Sequence, residues 1–318
     1  MVSNSQDSPA AVDRDQESTV RGSDCGSCDS STCSTVNQRS DESNEDFELR
    51  QKLENRLGLI DRKLLVLSGK GGVGKSTVAA NLAVSLASAG KKVGLLDVDV
   101  HGPSIPTLLG ISGRVAKGGE DGMIPIRVSE NLEVMSIGVL FDDPDAAVIW
   151  RGPLKFGTIR QFLRDVVWGE LDYLVIDAPP GTGDEPLAVA ELIGSRAGAV
   201  IVTTPQDLAI ADVRRSISFC HEVSLPVVGI IENMSGFECP RCGEVLNIFK
   251  TGGGANLARE LRVPFLGSIP IDGRVTTSGD AGIPFVEADG KSKVTTAFDR
   301  VASDLMDRVD SILRYAAR

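Results

Sequence analysis

The sequence lacks the features of a membrane or secreted protein. No stretch approaches the roughly 18 uncharged apolar residues of a transmembrane helix. Residues 1–50 contain neither the basic start nor the apolar stretch of a secretory signal, so we expect a cytoplasmic protein. The length of 318 residues predicts one globular domain with an appendage, and the content of 42% apolar and 24% charged residues is typical of a globular chain.

Positive charge is also scarce. The chain carries 33 Lys and Arg against 44 Asp and Glu, a net charge of −11. Binding to nucleic acid needs clustered Lys and Arg to neutralise phosphates, so we expect no nucleic-acid partner. A helix that binds a membrane surface needs a basic face, which the sequence does not provide, so we expect no membrane partner either.

Apolar residues are few in residues 1–50, which are rich in Ser, Asp, Glu and Asn. Such a segment cannot bury enough surface to offset its conformational entropy, so we predict a disordered acidic tail. This tail holds 11 acidic and 4 basic residues and therefore −7 of the net charge. Residues 51–318 are predicted to form the globular domain.

Short apolar runs alternate with helical stretches from Leu64 onward. Such runs are typical of a parallel sheet covered on both faces, so we predict a doubly wound α/β domain with a mainly parallel sheet. The last helix, predicted over residues 292–315, has an apolar stripe that we expect to pack on the core. The predicted strands lie at residues 64–67, 93–96, 173–176, 199–202 and 227–230.

A glycine-rich string, G-K-G-G-V-G-K-S-T, follows the first predicted strand and precedes a helix. It fits the pattern G-x-x-x-x-G-K-[ST], in which glycines let backbone N–H groups and the helix N-terminus approach phosphates. We therefore predict an ATP site. Lys75 is expected to reach the β- and γ-phosphates while supporting little of the core, and Ser76 to ligate Mg²⁺. The predicted nucleotide-binding residues here are Gly69, Lys70, Gly71, Gly72, Val73, Gly74, Lys75, Ser76 and Thr77.

Acidic residues follow two other predicted strands. Asp177 comes directly after residues 173–176, where phosphoryl transfer needs a carboxylate to hold the water shell of the metal. Asp97 and Asp99 follow residues 93–96, and we expect one of them to position the attacking water. Gly181 is expected to direct its N–H at the γ-phosphate. The structural alternative for the aspartates is a helix cap or a turn.

The cysteines are expected to be metal ligands or buried thiols, because disulfides are rare in a reducing compartment. Cys239 and Cys242 form a C-x-x-C pair, a spacing that can direct two thiolates at one metal. Tetrahedral zinc and a 4Fe-4S cluster each need four ligands, so the other two must come from elsewhere. The spacing alone leaves open an iron–sulfur cluster, zinc, and a redox-active or structural thiol pair.

The remaining cysteines are of two kinds. Cys25, Cys28 and Cys33 lie in the predicted tail, where no core exists to explain them, so a ligand role is favoured. Cys220 lies on a predicted helix and is expected to be a buried small side chain.

Several strings together resemble one family of nucleotide-binding proteins. Lys70 in K-G-G-V-G-K-S-T resembles the deviant Walker A motif of the MinD, ParA and nitrogenase iron-protein class. Within that class, residues 97–106, 178–184 and 232–237, followed by Cys239 and Cys242, resemble the Mrp (ApbC-like) family of iron–sulfur cluster carrier ATPases. The resemblance runs in order from about Leu64 to the C-terminal helix.

The resemblance implies an assembly and a function. In this class, a nucleotide-dependent homodimer brings Lys70 to the phosphates of the facing subunit. Two C-x-x-C loops that meet across a two-fold axis complete a bridging 4Fe-4S cluster, which is handed to apoproteins. Asn233 and Pro270 are implied to lie near the adenine base. Because no residue resembles a covalent nucleophile, hydrolysis is expected to be slow and regulatory.

The tail cysteines resemble the N-terminal cluster-binding extension of longer relatives, whose pattern has a fourth cysteine upstream. No cysteine precedes Cys25 in this sequence. A second cluster with an open or exogenous ligand, or one of lower nuclearity, therefore fits the cysteine count better than a complete 4Fe-4S site in one chain.

Two other functions use the same ATPase core. A positioning switch like MinD or ParA binds membrane or DNA, and it needs a basic tail or surface that this sequence does not contain. A zinc-stabilised assembly scaffold would use nucleotide as a structural ligand. The colour of the protein purified without oxygen separates such a scaffold from a cluster carrier.

Overall fold

The computed structural model describes residues 38–39, 42–100, 102–140 and 152–316. Its contacts divide the chain into two units, Met1–Phe47 and Glu48–Arg318. The second unit contains the sheet and the glycine-rich loop. The predicted ligands Cys25, Cys28 and Cys33 lie outside the described residues.

A mostly parallel sheet forms the core of the second unit. The strands within the described residues are, in chain order, β1 (Ile60–Leu67), β2 (Val93–Asp97), β3 (Lys117–Gly118), β4 (Met123–Ile124), β5 (Ile126–Arg127), β6 (Leu132–Ser136), β7 (Leu171–Asp177), β8 (Ala197–Thr203), β9 (Val227–Glu232), β10 (Phe237–Glu238), β11 (Val245–Leu246) and β12 (Phe265–Ser268). Eight of them form one sheet in the order β12-β9-β8-β1-β7-β2-β6-β5, in which β5 and β6 pair antiparallel and the other pairs are parallel. Strands β3 and β4, and strands β10 and β11, form separate hairpins.

Helices flank this sheet, and the predicted α/β fold with a mainly parallel sheet is confirmed. The continuous burial of the central strands explains why their apolar runs lack alternation. The α-helices of the described residues are α1 (Asn44–Gly58), α2 (Lys75–Ser88), α3 (Ile105–Leu108), α4 (Gly152–Asp165), α5 (Asp184–Leu192), α6 (Asp207–Glu222), α7 (Gly253–Leu261), α8 (Gly273–Asp280), α9 (Phe285–Ala288) and α10 (Lys293–Ala316).

Helix α1 spans the predicted boundary between tail and domain at residue 50. Helix α1 begins at Asn44, so residues 44–50 are helical, and Leu53 and Leu57 of the same helix are buried. The low apolar content up to residue 50 hid this start, because only the later turns of α1 bury leucines. Residues 1–37 of the predicted tail lie outside the described part of the chain.

Strand β1 starts at Ile60, four residues before the predicted run. The apolar pattern does not reveal this start because the first half of the strand contains Lys63, which is buried. Lys63 is 3% exposed, and its Nζ donates to the backbone oxygens of Leu57 at 3.3 Å and Ile60 at 3.5 Å. Burial lowers the pKa of Lys63 to about 8. The ammonium thereby meets the carbonyl of Leu57 at the C-terminal end of α1, where the helix dipole favours a cation, and the carbonyl of Ile60 at the start of β1.

The C-terminal helix agrees with its prediction. Helix α10 packs against α2, β9 and β12, and its apolar stripe is buried at Val294, Phe298, Val301, Leu305 and Val309. The stripe is therefore a core-packing face, as expected. Among the described residues, no helix combines the length and apolar character needed to cross a membrane.

Candidate functional site

The glycine-rich loop lies where the strand order reverses. Strand β1 pairs with β7 on one side and β8 on the other, and β2 lies beyond β7. In open α/β sheets, ligands bind at such a reversal, at the carboxyl ends of the strands. Asp97, Asp177 and Glu232 are the last residues of β2, β7 and β9 and therefore lie along this same edge.

The loop between β1 and α2 has the backbone conformation of an anion-binding turn. Gly72 and Gly74 have φ values of 80° and 79°, which side chains rarely permit. Helix α2 begins at Lys75 directly after Gly74, the N-cap residue, which has no side chain to cap the helix. The first N–H groups and the positive end of the helix dipole are thus directed at the loop, which favours a phosphate there.

Lys75 is buried in an ion pair. Its side chain is 6% exposed, and Nζ lies 2.5 Å from Oδ1 of Asp177 and 3.3 Å from Oγ of Ser76. Asp177 is fully buried. The expectation that Lys75 supports little of the core is therefore wrong, because its loss would leave a buried carboxylate without its cation.

Asp97 and Asp177 lie side by side on neighbouring parallel strands, where they are partners in the β2–β7 register. Both carboxyl groups are fully buried. Burial, followed by the charge of Asp177, raises the pKa of Asp97 to about 8. Burial also raises the pKa of Asp177, and the Lys75 ammonium opposes this shift. Two adjacent carboxylates in a dry site favour a nearby cation.

The oxygen atoms of Asp177 and Ser76 are suitable ligands for a magnesium ion. Within the described residues, Oδ2 of Asp177 is buried and has no hydrogen-bond partner. The Ser76 side chain hydrogen-bonds to the same carboxylate and lowers its pKa. Carboxylate and hydroxyl oxygens are the ligands that Mg²⁺ takes beside phosphates, with water completing its octahedral shell.

Asp97 and Asp99 occupy different environments. Oδ1 of Asp97 accepts the backbone N–H of Asp99 at 3.0 Å, and Oδ2 accepts the hydroxyl of Ser136 at 2.9 Å. Asp99 is half-buried in the loop after β2. Asp97 therefore organises the carboxyl end of β2, and Asp99 is the more accessible of the two candidates for orienting water.

The N–H of Gly181, which was expected to point at the γ-phosphate, is instead hydrogen-bonded to the backbone beside the glycine-rich loop. It donates to the backbone oxygen of Ser68 at 2.8 Å, at the end of β1. A Cβ atom at Gly71 would lie 4.0 Å from Pro180, so the loop after β7 is adjacent to the glycine-rich loop. The N–H of Gly181 can reach a phosphate only after its bond to Ser68 opens.

Asn233 and Pro270 belong to two segments that the structure brings together. The N–H of Ser235 donates to Ile269 at 2.9 Å, and the N–H of Ile271 donates to Gly236 at 2.8 Å. On the other side, Nδ2 of Asn233 donates to the backbone oxygen of Val73 at 2.9 Å. Asn233 therefore lies directly on the glycine-rich loop, with Pro270 in the adjacent segment.

Cys239 and Cys242 lie on the hairpin formed by β10 and β11. The N–H of Cys239 donates to the backbone oxygen of Glu244 at 2.9 Å, and the N–H of Gly243 donates to the backbone oxygen of Cys239 at 2.9 Å. Hydrogen bonds from the backbone N–H groups of Arg241 and Cys242 lower the pKa of the Cys239 thiol. These bonds stabilise a thiolate, which is the form that ligates metal.

This pair supplies only two ligands. Within the described residues, no group of three or more His, Cys, Asp or Glu side chains is placed to hold a metal ion. Cys220 is fully buried, as expected, and burial raises the pKa of its thiol to about 12. Cys220 is therefore not a candidate metal ligand, because a buried neutral thiol is inert.

The sequence pattern assigned no role to Glu232, which organises the backbone at this edge of the sheet. Glu232 is fully buried and accepts hydrogen bonds from Ser235, Gly252 and Gly254. The one available signal was a glutamate at the end of an apolar strand. Its partners at residues 252 and 254 lie too far along the chain to be read from that pattern.

A strand, a glycine-rich loop and a helix at the reversal point of a parallel sheet define a P-loop nucleotide-binding protein. Residues 59–306 match the family model described as ParA, NUBPL iron-transfer P-loop NTPase. The chain belongs to this family.

Relatives in other organisms share most of the chain. It is 47% identical to the iron-sulfur cluster carrier protein of Methanocaldococcus jannaschii over 285 residues, which cover 90% of this chain and 97% of the relative. It is 49% identical to the cytosolic Fe-S cluster assembly factor NUBP2 of Bos taurus, over 76% of this chain and 91% of the relative. A solved nucleotide-binding protein from Archaeoglobus fulgidus, in complex with ADP, superposes with a TM-score of 0.65 at 44% identity, covering 73% of this chain and 91% of that one.

Proposed function

We propose that this chain is a homodimeric, cytoplasmic ATPase that carries a 4Fe-4S cluster between its subunits and transfers it to apoproteins. The observation that carries the proposal is the position of the cysteine hairpin. Asn233, which donates to the glycine-rich loop, is followed within six residues by Cys239, whose thiolate is stabilised by backbone N–H groups. The iron–sulfur names of the relatives support the same cargo.

The homodimer follows from the number of ligands. Each chain offers Cys239 and Cys242, whereas a 4Fe-4S cluster takes four thiolates, so a second copy of the hairpin completes the set. The hairpin also carries exposed apolar side chains that a second copy would cover. Val245 is 61%, Leu246 43% and Ile248 56% exposed.

The nucleotide site has a separate task for each predicted residue. Residues 69–77 surround the phosphates, and Lys75 leaves Asp177 to neutralise the β- and γ-phosphates. Ser76 and the carboxylate of Asp177 hold Mg²⁺, which when bound neutralises charge on the phosphates. Asp99, supported by Asp97, orients the attacking water.

The remaining contacts concern the base, the γ-phosphate and the cargo. Asn233 and Pro270 lie beside adenine, and Gly181 turns its N–H from Ser68 to the γ-phosphate. Cys25, Cys28 and Cys33 hold a second iron–sulfur cluster. The acceptors are apo forms of iron–sulfur proteins.

Lys70 is expected to act on the facing subunit. Lys70→Ala should therefore lower kcat by roughly 10- to 100-fold and ATP affinity much less, because the contact forms only in the closed dimer. Steady-state turnover and equilibrium binding of ATP separate the two effects. Lys92→Ala, which removes an exposed lysine just before β2, is the matched control and should leave both unchanged.

Mixing two inactive variants tests the same prediction more directly. In a heterodimer of Lys70→Ala and Lys75→Ala chains, one of the two sites combines an intact Lys75 with the Lys70 of the other chain. Random exchange of subunits should then restore about a quarter of the wild-type activity. No recovery on mixing would mean that Lys70 acts within its own subunit.

The nucleotide is expected to change the rate of cluster transfer. A difference of about 1.4 kcal/mol in cluster binding between nucleotide states would alter the transfer equilibrium tenfold. Protein loaded with cluster is mixed with an apo acceptor, and transfer is followed by absorbance without nucleotide, with ADP and with a non-hydrolysable ATP analogue. Identical rates and end points in all three would place the role of the ATPase in loading or in partner recognition.

A further inference from the structure

A single buried carboxylate connects the two ends of the segment that holds the cysteines. Residues 233–251, here called the cysteine excursion, leave the sheet after β9, carry β10 and β11, and return to α7. Glu232 is the last residue of β9 and is fully buried. It therefore lies at the base of the excursion rather than on it.

The Glu232 carboxylate is held on both sides of the excursion. Oε1 accepts the hydroxyl of Ser235 at 2.5 Å and the N–H of Gly252 at 2.8 Å. Oε2 accepts the N–H of Gly254 at 2.6 Å, at the start of α7. Hydrogen bonds to a carboxylate are short and strong, and three of them close the base of the excursion.

The residue after Glu232 is attached to the glycine-rich loop. Nδ2 of Asn233 donates to Val73, and its backbone N–H donates to Thr203 at 2.7 Å. A Cβ atom at Gly74 would lie 2.3 Å from Nδ2 of Asn233, so the Asn233 side chain packs against the backbone of Gly74 at a distance that only glycine permits. A shift of the glycine-rich loop must therefore displace Asn233, because close-packed groups transmit small movements.

We propose that Glu232 is a positioning residue that transmits nucleotide-dependent movement of the glycine-rich loop to Cys239 and Cys242. The path runs from Val73 through Asn233 to the Glu232 carboxylate, and from there to Ser235 and Gly252 at the two ends of the excursion. The inference deepens the proposed function and rests on it only for the nature of the cargo. The coupling itself requires nucleotide binding alone.

Hydrogen exchange measured by mass spectrometry tests the coupling without any cluster. In the wild-type protein, ADP should slow amide exchange in the glycine-rich loop and, by at least about fivefold, in residues 235–254. In Glu232→Gln, which keeps the shape but places an NH2 group against a donor, protection of the loop should persist and protection of residues 235–254 should disappear. Glu244→Gln makes the same chemical change at an exposed position of the excursion and should behave as wild type.

Two results would overturn the proposal. One is ADP-dependent protection of residues 235–254 that survives in Glu232→Gln, and the other is its absence in the wild type. If Glu232→Gln fails to fold, Ser235→Ala, which removes one of the three bonds, must reduce the effect of ADP on the excursion, and an unchanged effect would count against the proposal.

Cluster transfer provides an independent readout. Glu232→Gln loaded with cluster should keep its iron and sulfide but transfer at one rate with and without the ATP analogue. A wild type that holds no cluster would refute the cargo and leave the exchange experiment intact. The two failures are therefore distinguishable.

Discussion

Lys75→Ala is expected to abolish hydrolysis of Mg-ATP, with a loss in kcat of roughly 100- to 1000-fold. Lys75 begins α2 beside the glycine-rich loop, where its ammonium can neutralise the charge that develops on the transferred phosphate. Phosphate release at saturating ATP measures the loss. Lys92→Ala is the matched control, and equal turnover in Lys75→Ala and wild type would contradict the assignment of the nucleotide site.

The same substitution is expected to destabilise the fold. Removing one partner of a buried ion pair costs roughly 3 to 5 kcal/mol, because the other charge stays buried. Loss of Lys75 also removes an influence that lowers the pKa of Asp177, so this pKa rises further above its value in the unfolded chain. Stability that is present below the unfolded pKa is then lost as the pH rises toward the folded pKa.

Thermal unfolding without nucleotide or metal tests the direction of this pH dependence. The deficit of Lys75→Ala relative to wild type should be larger at about pH 7.5 than at about pH 5. The double variant Lys75→Ala/Asp177→Asn, in which the buried acid is a neutral amide, should recover part of the lost stability without recovering turnover. A deficit that is independent of pH would mean that lost packing, rather than the unpaired carboxylate, is the cause.

Replacing both Cys239 and Cys242 with alanine is expected to remove the bridging cluster, which amounts to about four iron and four sulfide atoms per dimer. Each chain contributes two thiolates, so the double variant leaves the shared site with none. Anaerobic purification followed by iron, sulfide and zinc analysis measures the loss. Full iron content in the double variant would contradict the bridging site, and stoichiometric zinc without sulfide in the wild type would favour the zinc-stabilised scaffold.

Two controls make the result specific. Cys220→Ala removes a buried thiol from α6 and should leave the iron content unchanged. Deleting residues 1–42, which carry Cys25, Cys28 and Cys33, should remove a different part of the iron. The deletion ends before Asn44 because a cut at residue 50 would remove the first turns of α1.

The local pattern of apolar residues was enough to locate many of the strands and the last helix. The apolar runs located five central strands, and the stripe of α10 located the last helix to within one residue. Strands β6 and β12 were missed, because β6 includes a glutamate and β12 has only four residues, one of them glycine. The start of β1 was missed for a related reason, since Lys63 reads as a surface residue until its carbonyl partners are known.

The sequence alone determined the parts of the site that are contiguous in the chain. The glycine-rich string specifies its own loop, because glycines at 72 and 74 permit the φ values that the turn requires. The two cysteines of the C-x-x-C pair are brought together by a turn of the backbone, and the fully buried strands specify a parallel sheet. Each of these depends on neighbours a few residues away, which the sequence displays directly.

Only the tertiary structure decided how these parts meet. Lys75 pairs with Asp177 across 102 positions of the chain, and Asp97 lies beside Asp177 because β2 and β7 are adjacent in register. Glu232 joins the two ends of the cysteine excursion, and Asn233 contacts the glycine-rich loop across 160 positions. Such contacts follow from strand order and burial, which set the distance between side chains and the dielectric around them, and neither quantity is encoded in local spacing.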